Sequence, residues 1–550
     1  MTTAPSPPSP PATHEVVNQS VPLYGHNAFE SHAVLVEALE REGAGWARDR
    51  ARAAGALAGR EDVIGLGFDA NEHPPVLHTH DRFGHRVDEV AFHPAWHELL
   101  RLAVSQELHA LPWREPRPGA HVARAALFMT FSQVEAGHGC PISMTYSAVP
   151  ALRAQPELAE EWVPRIVSDT YDPRVAPPPE KAGVLFGMAM TEKQGGSDVR
   201  ANTTRAEPLR DGAYALTGHK WFCSAPMCDA FLVLAQAPGG LTCFLLPRWT
   251  PDGERNAMRL QRLKDKLGNR SNASSEVEFH GAWAQRVGEE GRGVPTIIEM
   301  VGHTRLDCVI GAAAGMRLGV EQATWHAAHR SAFGRRLIDQ PLMRNVLADL
   351  CVESEAATIT AMRLARAYDD PDQLAFRRLA TAVAKYWCCK RAVPHAGEAL
   401  ECLGGNGYVE ASGMPRLYRE APLNGIWEGS GNVIALDVLR ALARTPAALE
   451  AFLAEVGEAA GADPRLDAHA AGLRDAFARP EDLEVRARAV VEAMGLALQG
   501  SLLVRFGDAA VADTFCASRL GGESGRAFGT LPAGTNFARI IQRHGVETAA

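Results

Sequence analysis

The hydrophobic period of this chain changes twice, and those two changes limit the folds open to it. In the first third, from about residue 27 to 168, Ala, Leu, Glu and Arg recur at helical spacing, as over 33–57, 92–108 and 121–134, with Pro and Gly between. From roughly 182 to 294 the spacing becomes that of strands. Residues 213–224 alternate, 231–237 and 243–246 are short apolar runs around a Pro238-Gly239-Gly240 turn, and 276–279 alternate again. Long amphipathic stretches return after Gly293, over 296–330, 343–368 and 373–403, and further helical runs follow at 448–459 and 483–504. At 550 residues the chain is too long for a single core. The proline-rich stretch 169–181 reads as a linker, and Arg444-Thr445-Pro446 as a break. The expected fold class is α+β. It comprises an N-terminal helical domain (21–181), a central antiparallel β domain (182–294), a helical bundle (295–445) and an additional C-terminal helical domain (446–550). A disordered leader is expected over 1–20, where prolines stand at 5, 7, 8, 10 and 11.

Composition narrows the function classes. A net charge of −9 argues against a chain that is basic throughout and coats nucleic acid. None of the ten cysteines forms a C-x-x-C pair, so no metal site or disulfide framework is expected. With no run of 18 apolar residues and no signal-peptide pattern, the expectation is a cytoplasmic protein without a membrane partner. No G-x-G-x-x-G opens a helix after a strand, no Walker-type loop is present, and Gly429-Ser430-Gly431 is not a hydrolase elbow.

Five segments carry chemistry. Trp427-Glu428-Gly429-Ser430-Gly431-Asn432 places one carboxylate in a glycine-rich turn before a helical run. It suits a general base of raised pKa, although a Glu in a turn before a helix is more often a dipole-favoured cap. Met190 to Asp198 offers hydroxyls from Thr191 and Ser197 around Gly195-Gly196, a loop able to meet a flat heterocycle or phosphates, or simply a turn. The strand Lys220-Trp221-Phe222-Cys223-Ser224 carries aromatics that serve either a core or a cofactor. Arg330 to Gly334 puts an Arg at a helix end, as a phosphate ligand or a cap. Leu403-Gly404-Gly405-Asn406-Gly407-Tyr408 is a helix stop that permits close backbone approach.

In this order and spacing, the five segments resemble the acyl-CoA dehydrogenase superfamily of FAD flavoproteins over about residues 90–440. A closer likeness is to the AidB branch, flavoproteins of the adaptive response to DNA alkylation. It is carried by Arg41-Glu42-Gly43-Ala44-Gly45-Trp46, Val134-Glu135-Ala136-Gly137, Asn202-Thr203-Thr204, the segment Leu263 to Arg270, and Trp427. The resemblance implies FAD, an acyl-CoA thioester substrate and a homotetramer. It places Met188, Met190, Thr191, Gly196 and Ser197 beside the flavin, Phe222 near its ring and Ser224 at its pyrimidine edge. Arg330 and Phe333 would reach the cofactor of a neighbouring subunit, and Gly404, Gly405 and Asn406 its adenine end. Trp427, Gly429, Ser430 and Asn432 would close over it. Glu428 matches the family base, which removes the α-proton of a short or branched acyl-CoA. Thr304 stands where the isovaleryl type carries its base, Gly302 where some members have an acid that contacts CoA, and Glu401 where a Gln is common.

The AidB likeness also implies an alternative, double-stranded DNA binding with little dehydrogenase turnover. Residues 446–550 hold 10 Arg, no Lys and 14 Asp or Glu, a poor balance for phosphate contacts. Arg486, Arg488 and Arg505, or Arg539 and Arg543, are the residues that could converge on a phosphate backbone.

Overall fold

The structure, a computed structural model, describes residues 14–477 and 482–546, so most of the leader expected over 1–20 lies outside the described residues. Helices α1 (Ala33–Arg41), α2 (Arg48–Ala58) and α3 (Glu61–Glu72) come first. The single run expected over 33–57 is two helices, because the chain turns at Gly43, whose φ of +87° suits glycine. A hairpin of β1 (Val76–His80) and β2 (Arg86–Ala91) follows, within the block expected to be helical throughout. Then come α4 (Pro94–Ser105), α5 (Leu111–Arg114), α6 (Ala120–Ser132), α7 (Gly139–Leu152) and α8 (Pro156–Ile166).

The central block is a seven-stranded sheet. Its strands are β3 (Phe186–Ala189), β4 (Arg205–Pro208), β5 (Ala213–Ser224), β6 (Ala230–Ala237), β7 (Gly240–Pro247), β8 (Met258–Leu263) and β9 (Ser274–Val287). Pairing runs β4–β5–β9–β7–β6 and returns to β4, closing a ring in which β6–β4 is parallel and touches at one residue pair, Arg205 with Gln236. β3 also pairs parallel with β6, while the other pairings are antiparallel. The β5–β9 register slips between Lys220 and Cys223. That bulge frees the Trp221 N–H to bond the Thr191 carbonyl at 2.8 Å and leaves Phe222 half exposed.

Three long helices form the bundle: α9 (Gly293–His329), α10 (Pro341–Asp369) and α11 (Leu374–Cys402). Much of α9 is buried on every side, and its small residues let its neighbours approach closely. α12 (Met414–Glu420) and α13 (Gly431–Arg444) complete the block. The remaining helices are α14 (Pro446–Gly457), α15 (Pro464–Phe477), α16 (Leu483–Phe506), α17 (Ala509–Phe515) and α18 (Phe537–His544). Gly495 lets α16 lie against the Trp387 ring of α11, since a Cβ there would sit 2.8 Å from Trp387 Cβ. By length and composition α16 could cross a membrane, but 61% of that apolar window is buried inside the protein.

Candidate functional site between the sheet and the bundle

A cavity of about 1020 Å³ lies where β3, β5 and the loop after β3 face α7, α9 and the turn before α13. It is at the top of the ~300–1,000 Å³ range of small-molecule sites. Of the residues singled out in the sequence, Met188, Met190, Thr191, Gly196, Ser197, Phe222, Ser224, Trp427, Glu428, Gly429 and Ser430 line it together.

The β wall is held by an ion pair the sequence reading passed over. Glu192 and Lys220 meet at 2.9 Å with both side chains fully buried. Glu192 also accepts from the Thr203 N–H at 2.6 Å and the Thr204 N–H at 3.1 Å, so it pins the Thr191–Ser197 loop to the residues leading into β4. Burial alone would raise the Glu192 carboxyl, yet Lys220 and these donors bring it to about 2. The signal was available: an acid in the loop and a lysine beside the aromatic pair of the strand. Ser224 stands 3.3 Å from Ser274, and burial lowers the pKa of Lys266 on the same wall.

The opposite wall is the turn at Glu428, a non-glycine residue in left-handed backbone at φ +58°, followed by Gly429 at φ +107°. Such a conformation persists only where surroundings impose it. Here three consecutive carbonyls are held by two buried cations. Arg305 Nε donates to the Glu428 carbonyl at 3.0 Å, and Lys385 Nζ donates to the Trp427 carbonyl at 2.8 Å and to the Gly429 carbonyl. Arg305 is itself fixed by Asp437 at 2.8 Å, which Arg378 shares at 2.9 Å. Neither Lys385 nor Arg305 was linked to this turn in the sequence, because each lies far along the chain from the residues it holds.

The Glu428 carboxylate has one oxygen, Oε2, that is buried without a hydrogen-bond partner among the described residues. Burial pushes its pKa above the ordinary carboxylate value, against the Thr304 hydroxyl and the Arg305 and Lys385 charges. The Glu428 N–H likewise has no protein acceptor among the described residues. The arrangement therefore presents a carboxylate of raised basicity next to an open backbone donor.

The other expected site residues lie elsewhere on the chain. Arg330 donates to the Asn18 carbonyl at 2.5 Å, Phe333 is wholly exposed at φ +53°, and Gly404 and Gly405 face open space. Asn406 bonds Gln19 at 2.9 Å and borders a second cavity of about 340 Å³, and Asn432 is exposed on the first turn of α13.

Family profiles match three consecutive parts of the chain. Residues 18–173 match the adaptive response protein AidB N-terminal domain, 187–282 the acyl-CoA dehydrogenase middle domain, and 291–443 the acyl-CoA dehydrogenase C-terminal domain. The Escherichia coli (strain K12) protein AidB is 47% identical over 509 residues, 92% of this chain and 94% of the relative. The chain belongs to the acyl-CoA dehydrogenase family. Acyl-CoA dehydrogenase family member 11 of Caenorhabditis elegans is 33% identical, covering 71% of this chain and 66% of its own length. Among solved structures, Caenorhabditis elegans ACDH-11 in complex with C11-CoA superposes with a TM-score of 0.85 at 27% identity, covering 92% and 94% of the two chains. As an acyl-CoA dehydrogenase this protein is an oxidoreductase, and members of the family are FAD-dependent.

The cavity suits that cofactor. It has the volume, a β wall carrying the hydroxyls of Thr191, Ser197 and Ser224, an aromatic edge at Phe222, and a buried Asn269 Oδ1 that lacks a partner among the described residues. Gly196 keeps the loop open to a close neighbour, since a Cβ there would already sit 2.4 Å from Thr191 Oγ1.

Proposed function

We propose that this protein catalyses α,β-dehydrogenation of an acyl-CoA thioester with Glu428 as the base. The observation that carries the reading is the Glu428 turn: a carboxylate of raised pKa, in imposed left-handed backbone, on the wall of the cavity that holds the flavin-type residues. Glu428 takes the α-proton onto its carboxylate, and the C–H electron pair becomes the new double bond. The Glu428 N–H donates to the thioester carbonyl and stabilises the charge that develops there. When bound, FAD supplies the acceptor for the β-hydrogen and its electron pair. Met188, Met190, Thr191, Ser197, Phe222 and Ser224 would hold its ring system. Lys385 and Arg305 keep the carboxylate and the N–H in register throughout.

The reading extends to a homotetramer in which a neighbouring copy supplies Arg330, Phe333 and Gly404 to Asn406. It is supported by the exposure of Phe333, of Gly404 to Asn406 and of Tyr408, 83% accessible on the protomer. The C11-CoA bound to the nematode relative supports a thioester ligand. We favour this enzymatic reading over DNA binding because four of the five C-terminal arginines that could meet phosphates are engaged within the chain. Arg539 pairs with Asp508 at 2.7 Å, Arg543 with Glu37 and Glu355, Arg505 with Glu455 at 2.8 Å, and Arg488 with the Tyr386 hydroxyl at 3.0 Å.

The test is flavin bleaching by an acyl-CoA in the FAD-loaded protein. Glu428→Gln is expected to abolish bleaching while retaining FAD. Unchanged bleaching would reassign the base, and a colourless protein that takes up no FAD would overturn the reading.

A further inference from the structure

Helix α9 carries Thr304, Cys308, Gly311, Gly315 and Leu318, a spacing that keeps them on one helical face, and all five line the Glu428 cavity. Thr304 stands beside the Glu428 carboxyl, so the stripe begins at the base and leads away from it. The other arm of the cavity is basic, with Arg200, Arg378, Arg440 and Arg444 on its wall. A coenzyme A thioester is polyanionic at one end and apolar at the other. Opposite-charge attraction draws its head to the arginines, and burial draws its tail along the stripe.

Two features give that tail a shape. Glycine in the middle of a long helix costs about 1 kcal/mol relative to Ala. At Gly315 packing does not require it: an added Cβ would meet Leu417 Cδ1 at 3.5 Å, an ordinary contact. The missing side chain instead leaves the cavity open at that level. The arm then stops at Leu318, which also lines the second cavity of about 340 Å³. That second chamber is bordered in part by His26, Gln133 and Arg416, each with a buried side-chain atom lacking a partner among the described residues. Leu318 therefore stands as the partition between the two chambers. From Thr304 to Leu318 the helix rises about 21 Å at ~1.5 Å per residue. That length matches an extended chain of roughly 16 carbons, at about 1.3 Å of advance per C–C bond of ~1.5 Å.

We propose, resting on the acyl-CoA reading above, that the substrate is a long, unbranched acyl thioester whose tail lies over Gly315 and that Leu318 fixes its maximum length. This differs from the short or branched chain expected from the sequence, where the open level at Gly315 was not visible.

The test is isothermal titration of the purified, FAD-loaded protein with butanoyl-, octanoyl-, hexadecanoyl- and eicosanoyl-CoA, on wild type, Gly315→Val, Gly315→Ala and Leu318→Ala. Wild-type affinity is expected to climb to hexadecanoyl-CoA and fall at eicosanoyl-CoA. Gly315→Val should lower the hexadecanoyl-to-butanoyl affinity ratio about tenfold or more, because its side chain fills the arm. Gly315→Ala, whose Cβ fits, should lower it less and covers the case in which the valine variant does not fold. Leu318→Ala should raise the eicosanoyl-to-hexadecanoyl ratio at least severalfold. Affinity that is flat or falls beyond butanoyl-CoA in wild type overturns the proposal. So do Gly315 variants that weaken all chains equally, or a Leu318→Ala ratio equal to that of wild type. Loss of binding for every acyl-CoA in wild type would instead sink the acyl-CoA reading itself.

Discussion

Lys385→Met removes a buried ammonium whose visible work is to hold two backbone carbonyls. Lys385 is 1% exposed and donates to the carbonyls of Trp427 and Gly429, on either side of Glu428. Methionine keeps the length of the side chain and removes both donors. Hydrogen bonds to a charged group contribute about 1.5–3 kcal/mol each, and a buried acceptor left unsatisfied costs about 1–3 kcal/mol. A loss near 3 kcal/mol follows, expected as a fall of roughly 6–10 °C in the melting midpoint of the unit containing the site. The left-handed backbone at Glu428 costs about 1–2 kcal/mol, less than the clamp supplies, so without Lys385 the turn relaxes. A carboxylate displaced by about 1 Å costs on the order of 10²-fold in rate. Lys385 also pulls the Glu428 pKa down, so its removal lets that pKa rise further. A base works deprotonated, so the acid limb of the kcat/KM profile should move to higher pH. Stopped-flow bleaching with hexadecanoyl-CoA from about pH 5 to pH 9 reads both effects. Lys385→Arg, which keeps charge and donors, should recover part of each. An unchanged acid limb together with unchanged melting would refute the positioning role.

Glu428→Gln should be more stable than wild type at neutral pH. The folded pKa of Glu428 lies above its ordinary value of 4.5, so its favourable contribution is complete below that value and is lost as pH rises through the folded pKa. The advantage of Gln should therefore shrink as pH falls through the raised folded pKa toward about pH 4.5 and level off below it, as thermal melts across pH would show; an advantage that grows on that acidification refutes the burial argument. Glu192→Gln leaves Lys220 charged and buried without its partner, and breaking such a pair costs about 3–5 kcal/mol. The Thr191–Ser197 loop should loosen and FAD should be lost more readily on dilution, measured by fluorescence of released flavin. Full retention of FAD would place the loop's support elsewhere.

Much of the scaffold was legible because its causes are local. The alternating residues that became β5 and the amphipathic stretches that became α9, α10 and α11 announce their period within a single window. The β1–β2 hairpin was missed because its strands are short and only partly buried, with exposed and half-buried residues alternating in β1. The site residues were legible as motifs, and eleven of them meet in one cavity. What joins them was not. Arg305 and Glu428 lie 123 residues apart, and Lys385 is 42 residues from Trp427, so no sequence window contains the clamp.

By itself the sequence determined the order of helical, sheet and helical blocks, the family, and the residue types that line the cavity, since each of these is written in local period and motif. Tertiary structure alone decided that Glu428 sits in left-handed backbone under two buried cations, and that its cavity runs along α9 to Leu318. Both depend on which distant side chains share one small, poorly solvated volume, and there a single donor or a missing Cβ outweighs any local propensity.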